Sequence, residues 1–193
     1  MGLLRRVAKA LRSMALICLL QSLWCPSVSA GDRISPSAAQ LQAAFLYNFV
    51  YFTKWPEPLL LDLDAIGICV LGDDPYGRIL DITLKGQRLG RRLIRPYRVD
   101  TAQVDQCQIL YINESERSRF ETLRKRLERT PVLTVSDMKC FVSIGGMIQF
   151  YLKDNLIKLL INKETIRNSG LELRANLLRL AQFVKQDENL GCD

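Results

Sequence analysis

The sequence predicts an α/β domain in which a mixed β-sheet is flanked by helices and followed by a C-terminal hairpin and helix. Short apolar runs bounded by turn residues alternate with stretches whose apolar residues recur at helical spacing, which is typical of alternating strands and helices. Two later apolar runs are separated by a short polar segment, as in a hairpin. The 193 residues, 48% hydrophobic and 24% charged, suffice for one domain with a sizeable core and exclude collagen-like, low-complexity and disordered chains.

Residues 1–30 have the composition of a secretory signal peptide. They open with basic residues, continue with an apolar stretch over residues 14–24 and end in small residues at 28–30. The basic residues are Arg5, Arg6, Lys9 and Arg12. A transmembrane anchor is the alternative, but the apolar stretch is shorter than the roughly 18 residues that span a bilayer, and Pro26 interrupts it.

We therefore expect export to the periplasm, cleavage after about Ala30 and no membrane insertion afterwards. Residues 31–193 would form a single domain with a flexible polar tail from about residue 186. The formal net charge of +7 then belongs largely to the signal, which argues against a nucleic-acid partner. Two basic clusters, at 88–98 and 117–129, are interpreted as solvated faces, since acidic residues are interspersed in the second.

The mature chain opens with a predicted helix that ends near Trp55. Ser35 followed by Pro36 is typical of a helix cap with proline at the first helical position. Apolar residues then recur on one stripe, at Leu41, Phe45, Phe49 and Phe52. The continuous apolar run over residues 66–71 follows, with the pattern of a strand buried on both faces.

A turn at residues 72–77 separates this strand from a second helix. The turn lies where phosphate-binding loops lie, but it lacks their required residues and carries two aspartates, so we interpret it as a plain turn. Asp74 is predicted to cap a helix that begins at Pro75. Its inward residues would be Ile79, Ile82 and Leu84. Residues 89–99 are extended and contain Pro96, which favours an edge strand.

The second half of the chain repeats this alternation. Apolar runs at 107–112 and 132–135 predict two buried strands. The helix between them has the apolar stripe Phe120, Leu123 and Leu127, and Ser118 with Glu121 predicts a capping box at its start.

The C-terminal part is predicted to form a hairpin and a last helix. Strands at 147–152 and 156–161 would be joined by residues 153–155. The last helix would carry Leu177, Leu180, Ala181 and Val184 on one side.

The chain contains no histidine, which excludes Ser-His-Asp triads, Cys-His dyads and histidine-ligated metals. The closely spaced acidic pairs Asp62 with Asp64 and Asp73 with Asp74 lie in predicted loops, where carboxylates usually cap helices or face solvent. We expect no catalytic residues, no cofactor and no metal, and hence a protein that is not an enzyme.

Four cysteines remain after removal of the signal: Cys69, Cys107, Cys140 and Cys192. An oxidising compartment favours disulfides, and no pair has the Cys-x-x-Cys spacing of a redox dithiol or a four-cysteine zinc site. Four cysteines permit three connectivities, and their positions alone do not choose among them.

An ordered set of short segments resembles the YfiR-like family over nearly the whole mature chain. The segments are AAFLYNF (43–49) with Phe52 and Trp55-Pro56, CVLG (69–72), CQIL (107–110), VLTVS (132–136), GGMI (145–148), IN (161–162) and SGL (169–171). Members are small exported α/β proteins, and the best characterised is the periplasmic repressor of a membrane-bound diguanylate cyclase. The resemblance implies that this chain binds the periplasmic sensor domain of such a cyclase and represses cyclic-di-GMP synthesis.

The resemblance also implies a disulfide between Cys69 and Cys107. Neighbouring strands about 4.8 Å apart are compatible with that bridge. The second bridge of the family does not carry over, because this chain has Met147 where the comparable repressors have a cysteine. Cys140 is therefore expected either to pair with Cys192 or to remain free or intermolecular.

For the partner-binding surface we predict the exposed parts of the loop at 141–146 and the final helix, because such elements form interfaces without disturbing the sheet. The candidate residues are Phe141, Gly145, Gly146, Arg174 and Arg179. The alternative for the glycines is a tight entry into the hairpin. A homodimer is a further possibility.

A second hypothesis is a periplasmic receptor for a small ligand. Tyr47, Tyr51 and Trp55 could stack on an aromatic ligand in a crevice at the edge of the sheet. At helical spacing, the same residues can equally belong to the core.

Overall fold

The computed structural model describes residues 37–57, 59, 63–154, 156–179, 181–183 and 192, with the backbone alone for 178 and 181–183. The predicted signal peptide, the predicted cap Ser35-Pro36 and the polar tail from 186, apart from Cys192, lie outside these residues. So do Leu180 and Val184 of the predicted last helix.

Within the described residues, eight strands form one mixed sheet. They are β2 (Ala65–Leu71), β3 (Arg88–Leu89), β4 (Arg92–Val99), β5 (Ile109–Ile112), β6 (Leu133–Ser136), β7 (Ile148–Lys153), β8 (Leu156–Ile161) and β10 (Ala181–Phe183). Their order is β10-β8-β7-β6-β5-β2-β4-β3, and β1 (Thr53–Lys54) pairs separately with β9 (Glu172–Leu173).

The helices are α1 (Ala38–Phe52), α2 (Arg78–Leu84), α3 (Phe120–Leu127), α4 (Lys163–Asn168) and α5 (Ala175–Leu178), with 3-10 helices at Val104–Gln106 and Glu114–Arg119. Parallel pairs join β4, β2, β5, β6 and β7, whereas β7 and β8 form the predicted antiparallel hairpin. The predicted α/β fold with a mixed sheet and flanking helices is confirmed.

The two faces of the sheet form separate cores. In β2, Ile66, Ile68 and Val70 pack with α1 and α2 on one face, while Cys69 and Leu71 pack with α3 on the other. The strand is buried on both faces, as its continuous apolar run predicts. Each fully buried large aliphatic side chain contributes about 1.5–3 kcal/mol, so this pattern dominates the stability of the sheet.

Strand β4 lies near the edge of the sheet, and only the two residues of β3 pair outside it. The Ile94 N–H donates to the Gln87 carbonyl on that outer side at 2.9 Å. Because backbone groups alternate along a strand, the nitrogen of Pro96 faces the same outer edge, where no ladder hydrogen bond is required. This placement explains why proline is tolerated there.

The first helix differs from the prediction at both ends. Ser37 is its cap: the Ser37 hydroxyl accepts from the Gln40 N–H at 3.2 Å, and the Gln40 side chain accepts from the Ser37 N–H at 2.7 Å. The helix ends at Phe52 instead of Trp55, because Thr53 and Lys54 pair with β9. Its buried residues are Ala43, Leu46, Phe49 and Val50.

The second helix begins at Arg78, not at Pro75. Asp74 does accept a hydrogen bond from the N–H of Tyr76, at 2.8 Å, but this closes the turn before the helix. The predicted inward position of Ile82 is wrong, since 68% of Ile82 is exposed while Leu80 and Leu84 are buried.

The capping box predicted for α3 is also wrong. A 3-10 helix precedes α3 directly, so residues 114–127 form one helical run that the Asn113 side chain caps by accepting from the Ser115 N–H. Glu121 pairs instead with Arg124 and Lys125 one turn later.

The helix predicted across Leu177 and Ala181 is replaced by two shorter elements. Helix α5 ends at Leu178, and Ala181–Phe183 form β10 in parallel register with Leu159–Ile161. Hydrogen bonds to the open edge of β8 outweigh helical periodicity at this position, as tertiary context commonly does.

Candidate functional site

The turn after β2 packs closely against the start of the 3-10 helix at Glu114–Arg119. Gly72 adopts φ +86°, and a Cβ added there would lie 2.5 Å from the Ser115 hydroxyl. That hydroxyl accepts a hydrogen bond from the Asp73 N–H at 3.1 Å. Ser115, at the start of the neighbouring 3-10 helix, therefore satisfies the Asp73 N–H of this turn. This is consistent with a plain turn and not a phosphate-binding loop.

Two tyrosines stack behind this turn. The rings of Tyr76 and Tyr111 meet edge to face with centroids 4.9 Å apart. The Tyr111 hydroxyl donates to Asp137 at 2.6 Å, and the Tyr76 hydroxyl donates to Gln42 at 3.2 Å. Burial raises the pKa of both phenols far above the usual range, and Asp137 raises the pKa of Tyr111 further. Both stay protonated at neutral pH and act as structural donors.

Tyr47 and Tyr51 anchor an edge strand. Tyr47 donates to the Gln87 side chain at 2.9 Å, and Tyr51 donates to the Arg88 carbonyl at 2.7 Å. The hydrogen bond with Tyr47, together with partial burial, raises the pKa of Tyr51 to about 12. These hydroxyls therefore attach β3 to α1. Trp55, by contrast, is only 6% exposed and belongs to the core. The three aromatic residues do not form one open stacking surface.

A groove of about 460 Å³ lies beside β9 and α4. Its lining combines apolar and charged side chains, from Lys163, Ile166, Arg167, Leu171, Glu172 and Leu173. Strand β1 pairs with β9 here, and Lys54 forms an ion pair with Glu172 at 2.9 Å. Within the described part of the chain, the Thr53 hydroxyl and the Trp55 indole nitrogen are buried without a hydrogen-bond partner.

Sequence reasoning missed this groove. Lys54 and Glu172 are 118 residues apart, and no local pattern indicates that they meet. The one available signal is Asn162 before α4: its side chain caps the helix by accepting from the Thr165 N–H at 3.0 Å and donates to the Val142 carbonyl at 3.2 Å. These two hydrogen bonds fix the start of α4 against the backbone at Val142.

The predicted partner residues have different environments. The Phe141 side chain is completely buried against Phe120, with ring centroids 4.8 Å apart, so its side chain is not at the surface. Gly146 is buried against the Phe141 ring, and Gly145 adopts φ +98° beside Arg124. The exposed apolar side chain of this loop is Ile144, at 40%.

Arg174 and Arg179 are exposed at the two ends of α5. Neither forms an ion pair with another described residue. The Arg174 backbone N–H donates to the Phe52 carbonyl at 2.7 Å, which ties the start of α5 to the end of α1. Both guanidinium groups are therefore available to a partner.

Both disulfides are formed. Cys69 pairs with Cys107 at a Cα–Cα distance of 5.9 Å, as the family resemblance implies, and both residues are buried. Cys107 lies just after a 3-10 helix and before β5, not on the strand as predicted. Cys140 pairs with Cys192 at 4.6 Å, which decides the alternative that the sequence left open.

The two basic clusters differ in their partners. In the second, at 117–129, five of the six cations have an acidic partner, such as Arg117 with Glu114 and Arg126 with Asp105, whereas Arg129 has none in the described part of the chain. That cluster is the solvated, paired face that its composition predicts. In the first, Arg98 pairs with Asp74 and Asp81, but Arg88, Arg91 and Arg95 have no acidic partner in the described part of the chain.

Among the described residues, no group of three acidic or cysteine side chains could hold a metal ion. No described helix is long and apolar enough to cross a membrane.

Fold and sites together define a disulfide-bonded α/β protein whose accessible features are a mixed apolar and charged groove and exposed cationic surfaces. The YfiR/HmsC-like family profile (DUF4154) matches residues 39–182, and the chain belongs to this family. The resemblance of the short sequence segments is thereby confirmed.

One solved structure similar to this chain is the crystal structure of a conserved domain protein from Vibrio cholerae O1 biovar El Tor strain N16961. The two are 11% identical, with a TM-score of 0.49, and the match covers 77% of this chain. It covers 60% of the other chain, so this chain spans less than two thirds of that protein.

Proposed function

We propose that this chain is a periplasmic regulatory protein that binds the periplasmic sensor domain of an inner-membrane diguanylate cyclase and represses cyclic-di-GMP synthesis. The observation that carries the proposal is membership of the YfiR/HmsC-like family over residues 39–182. The signal-like composition of residues 1–30 and the two disulfides support export.

The regulator acts by binding and not by catalysis. The buried tyrosines keep their protons at neutral pH, and the chain has no histidine. Repression requires only that the protein bind the inactive state of the cyclase more tightly than the active state. A tenfold to hundredfold preference corresponds to roughly 1.4–2.7 kcal/mol of differential binding free energy, which one modest interface can supply.

Deletion of the gene tests the proposal. We expect cellular cyclic-di-GMP to rise, and we expect the full-length gene to restore the original level. A gene that lacks codons 2–30 should fail to restore it, because the protein would remain on the wrong side of the membrane. Unchanged cyclic-di-GMP in a deletion strain that expresses its membrane-bound cyclases would contradict the proposal.

A second candidate function is that of a small-ligand receptor. The observation in its favour is the groove beside β9, whose lining combines the apolar side chains of Ile166 and Leu171 with the cation Arg167. A ligand with an apolar body and a carboxylate would fit this lining, because arginine binds carboxylates in a bidentate manner.

A thermal-shift screen with nucleotides, amino acids and vitamins tests this second function. Free ligand at about 100 times its Kd should add about 2.7 kcal/mol to the free energy of unfolding. Replacement of Arg167, which lines the groove and is exposed, by Ala should remove the shift while the protein stays folded. If no compound in the screen shifts the wild-type protein, the groove is not a receptor site for these classes.

A further inference from the structure

A cluster of cations with no acidic partner lies at the corner of the sheet where α2, β3 and β4 meet. We define the basic corner as Lys85, Arg88, Arg91 and Arg95, all of which are exposed. In the described part of the chain, the side chains of Lys85, Arg91 and Arg95 form neither an ion pair nor a hydrogen bond, and Arg88 bonds only to the Arg91 carbonyl. The nearest acid along the chain, Asp81, is already held by Arg98 at 2.7 Å.

This corner is a rigid surface. Tyr47 and Tyr51 attach the β3 segment to α1 through Gln87 and the Arg88 carbonyl. Arg92 donates to the Leu63 carbonyl at 3.0 Å, which holds the start of β4. Because the backbone that carries these cations is already held in place, a partner orders only their side chains on binding and not the segment itself.

The outer side of β4 presents a groove of about 390 Å³ beside two of the four cations, Lys85 and Arg95. Apolar residues such as Ile94 and Pro96 line the rest of it, and its one carboxylate among the described residues, Asp81, is neutralised by Arg98. Pro96 has no N–H at the outer edge, so β4 cannot donate a main-chain hydrogen bond to an added strand at this position. Strand addition is therefore disfavoured, and recognition must come from side chains.

The composition of the surface indicates the kind of partner. Three of the four cations are arginines, whose planar groups bind carboxylates in a bidentate manner. Tyr97 is 42% exposed beside Arg95, and Ile82 is 68% exposed on α2 one turn before Lys85. Arginine and tyrosine are enriched, and lysine depleted, in protein interfaces relative to the rest of the surface.

We propose that the basic corner is the docking surface for an acidic segment of the regulated enzyme, whose carboxylates enter the groove beside β4. This inference rests on the proposed function, since the partner is the periplasmic domain of a membrane-bound diguanylate cyclase. It differs from the surface predicted from the sequence, which lies at the 141–146 loop and α5.

The test titrates the exported protein against the purified periplasmic domain of each membrane-bound diguanylate cyclase of the source organism. Three variants are compared with wild type. The corner variant is K85E/R91E/R95E, the rival-surface variant is R174E/R179E, and the matched control is R129E/K139E/K153E. The control reverses three exposed cations that have no ion pair or hydrogen bond through their side chains in the described residues, so it changes net charge by the same amount as the corner variant.

We expect the corner variant to bind at least about tenfold more weakly than wild type, and the control to bind within about twofold. Wild-type affinity should fall between about 50 and about 300 mM salt, and the corner variant should show a weaker salt dependence. Circular dichroism and thermal unfolding of each variant establish that the fold is retained.

Three outcomes would overturn the inference. If the corner variant binds like wild type, the corner is not the docking surface, although the proposed function stands. If no cyclase domain binds the wild-type protein, the proposed function fails and the inference fails with it. If the corner instead governs co-sedimentation with phosphatidylcholine vesicles containing about 30% phosphatidylglycerol, and no cyclase domain binds, the surface recognises lipid and not protein.

Discussion

Gly146 lies against the ring of Phe141, where a Cβ atom would overlap the ring carbons. Replacement of Gly146 by Ala should therefore lower the free energy of unfolding by about 1–3 kcal/mol, because the fully buried Phe141 has no space into which to move. Urea unfolding of the variant measures the loss.

The matched control is the Gly67→Ala substitution. A Cβ at Gly67 would meet the Tyr97 ring at 3.4 Å, which is ordinary contact, so we expect a change of no more than about 1 kcal/mol. Equal effects of the two substitutions would show that contact with Phe141 is not the constraint at Gly146.

The buried pair Tyr76 and Tyr111 makes stability sensitive to alkaline pH. Burial raises the pKa of each phenol in the folded state, whereas an unfolded tyrosine titrates near 10. Below that value both states keep the proton and the free energy of unfolding is unaffected. As pH rises above about 10, the unfolded chain releases protons that the folded chain retains, so stability falls by up to about 1.4 kcal/mol per pH unit for each such tyrosine.

Replacement of Tyr111 by Phe tests this linkage. At neutral pH the variant loses the hydrogen bond to Asp137, with an expected cost of about 1 kcal/mol. Between pH 7 and about pH 10.5 it should then lose less stability than wild type, because one linked proton is gone. Urea unfolding at both pH values measures the difference, and the exposed Tyr97→Phe variant should behave like wild type.

At the scale of secondary structure, the helical run from Glu114 to Leu127 is capped by Asn113, five residues before the predicted capping residue Ser118. The Asn113 side chain accepts a hydrogen bond from the Ser115 N–H at 2.9 Å. At the start of α3, where Arg119 is the capping residue, no side chain forms a capping hydrogen bond, so Ser118 does not cap the helix. We expect Asn113→Ala to cost about 1 kcal/mol and Ser118→Ala to change stability by less than about 0.5 kcal/mol.

Thermal or urea unfolding of the two alanine variants measures this contrast. A larger loss for Ser118→Ala than for Asn113→Ala would restore the capping box predicted from the sequence. A small gain for Ser118→Ala is compatible with our assignment, since alanine has the higher helix propensity.

The stability of the whole molecule depends on the disulfide between Cys69 in β2 and Cys107 just before β5. This disulfide joins two residues that are 38 positions apart in the sequence and closes the loop between them. Replacement of both cysteines by alanine should lower the free energy of unfolding by roughly 3–4 kcal/mol in the chain-entropy model. Since typical totals are about 5–15 kcal/mol, this loss affects the entire fold. Urea unfolding under non-reducing conditions measures it.

The Cys140–Cys192 bridge serves as the comparison, because both of its cysteines are partly exposed whereas Cys69 and Cys107 are 2% and 1% exposed. Dithiothreitol should therefore reduce the Cys140–Cys192 bridge first under native conditions. Peptide mapping of partly reduced protein reveals the order, and earlier loss of the Cys69–Cys107 bridge would contradict the assigned burial.

Local pattern and composition alone were enough to predict the buried strands β2, β5 and β6, the hairpin of β7 and β8, and the family. A run such as residues 66–71 is continuously apolar, short and followed by a turn, which favours a strand covered on both faces over a helix. The absence of histidine likewise removed whole classes of chemistry without any structural information. These conclusions depend on local pattern and composition, and neither changes with the position of distant residues.

Features that depend on residues far apart in the sequence could be established only from the tertiary structure. Ala181–Phe183 form a strand because they pair with the edge of β8. Ile82 is exposed because Leu80 and Leu84, four residues apart, lie on the face of α2 that packs against the core, and Ile82 lies on the opposite face. Cys140 forms a disulfide with Cys192, which is 52 residues away in the sequence. The basic corner differs from the basic cluster at 117–129 in that its cations form no ion pair with a described acidic side chain, whereas residues such as Arg126 do. Burial, pairing and ion pairing each require a neighbour, and the neighbours in these cases come from remote parts of the chain.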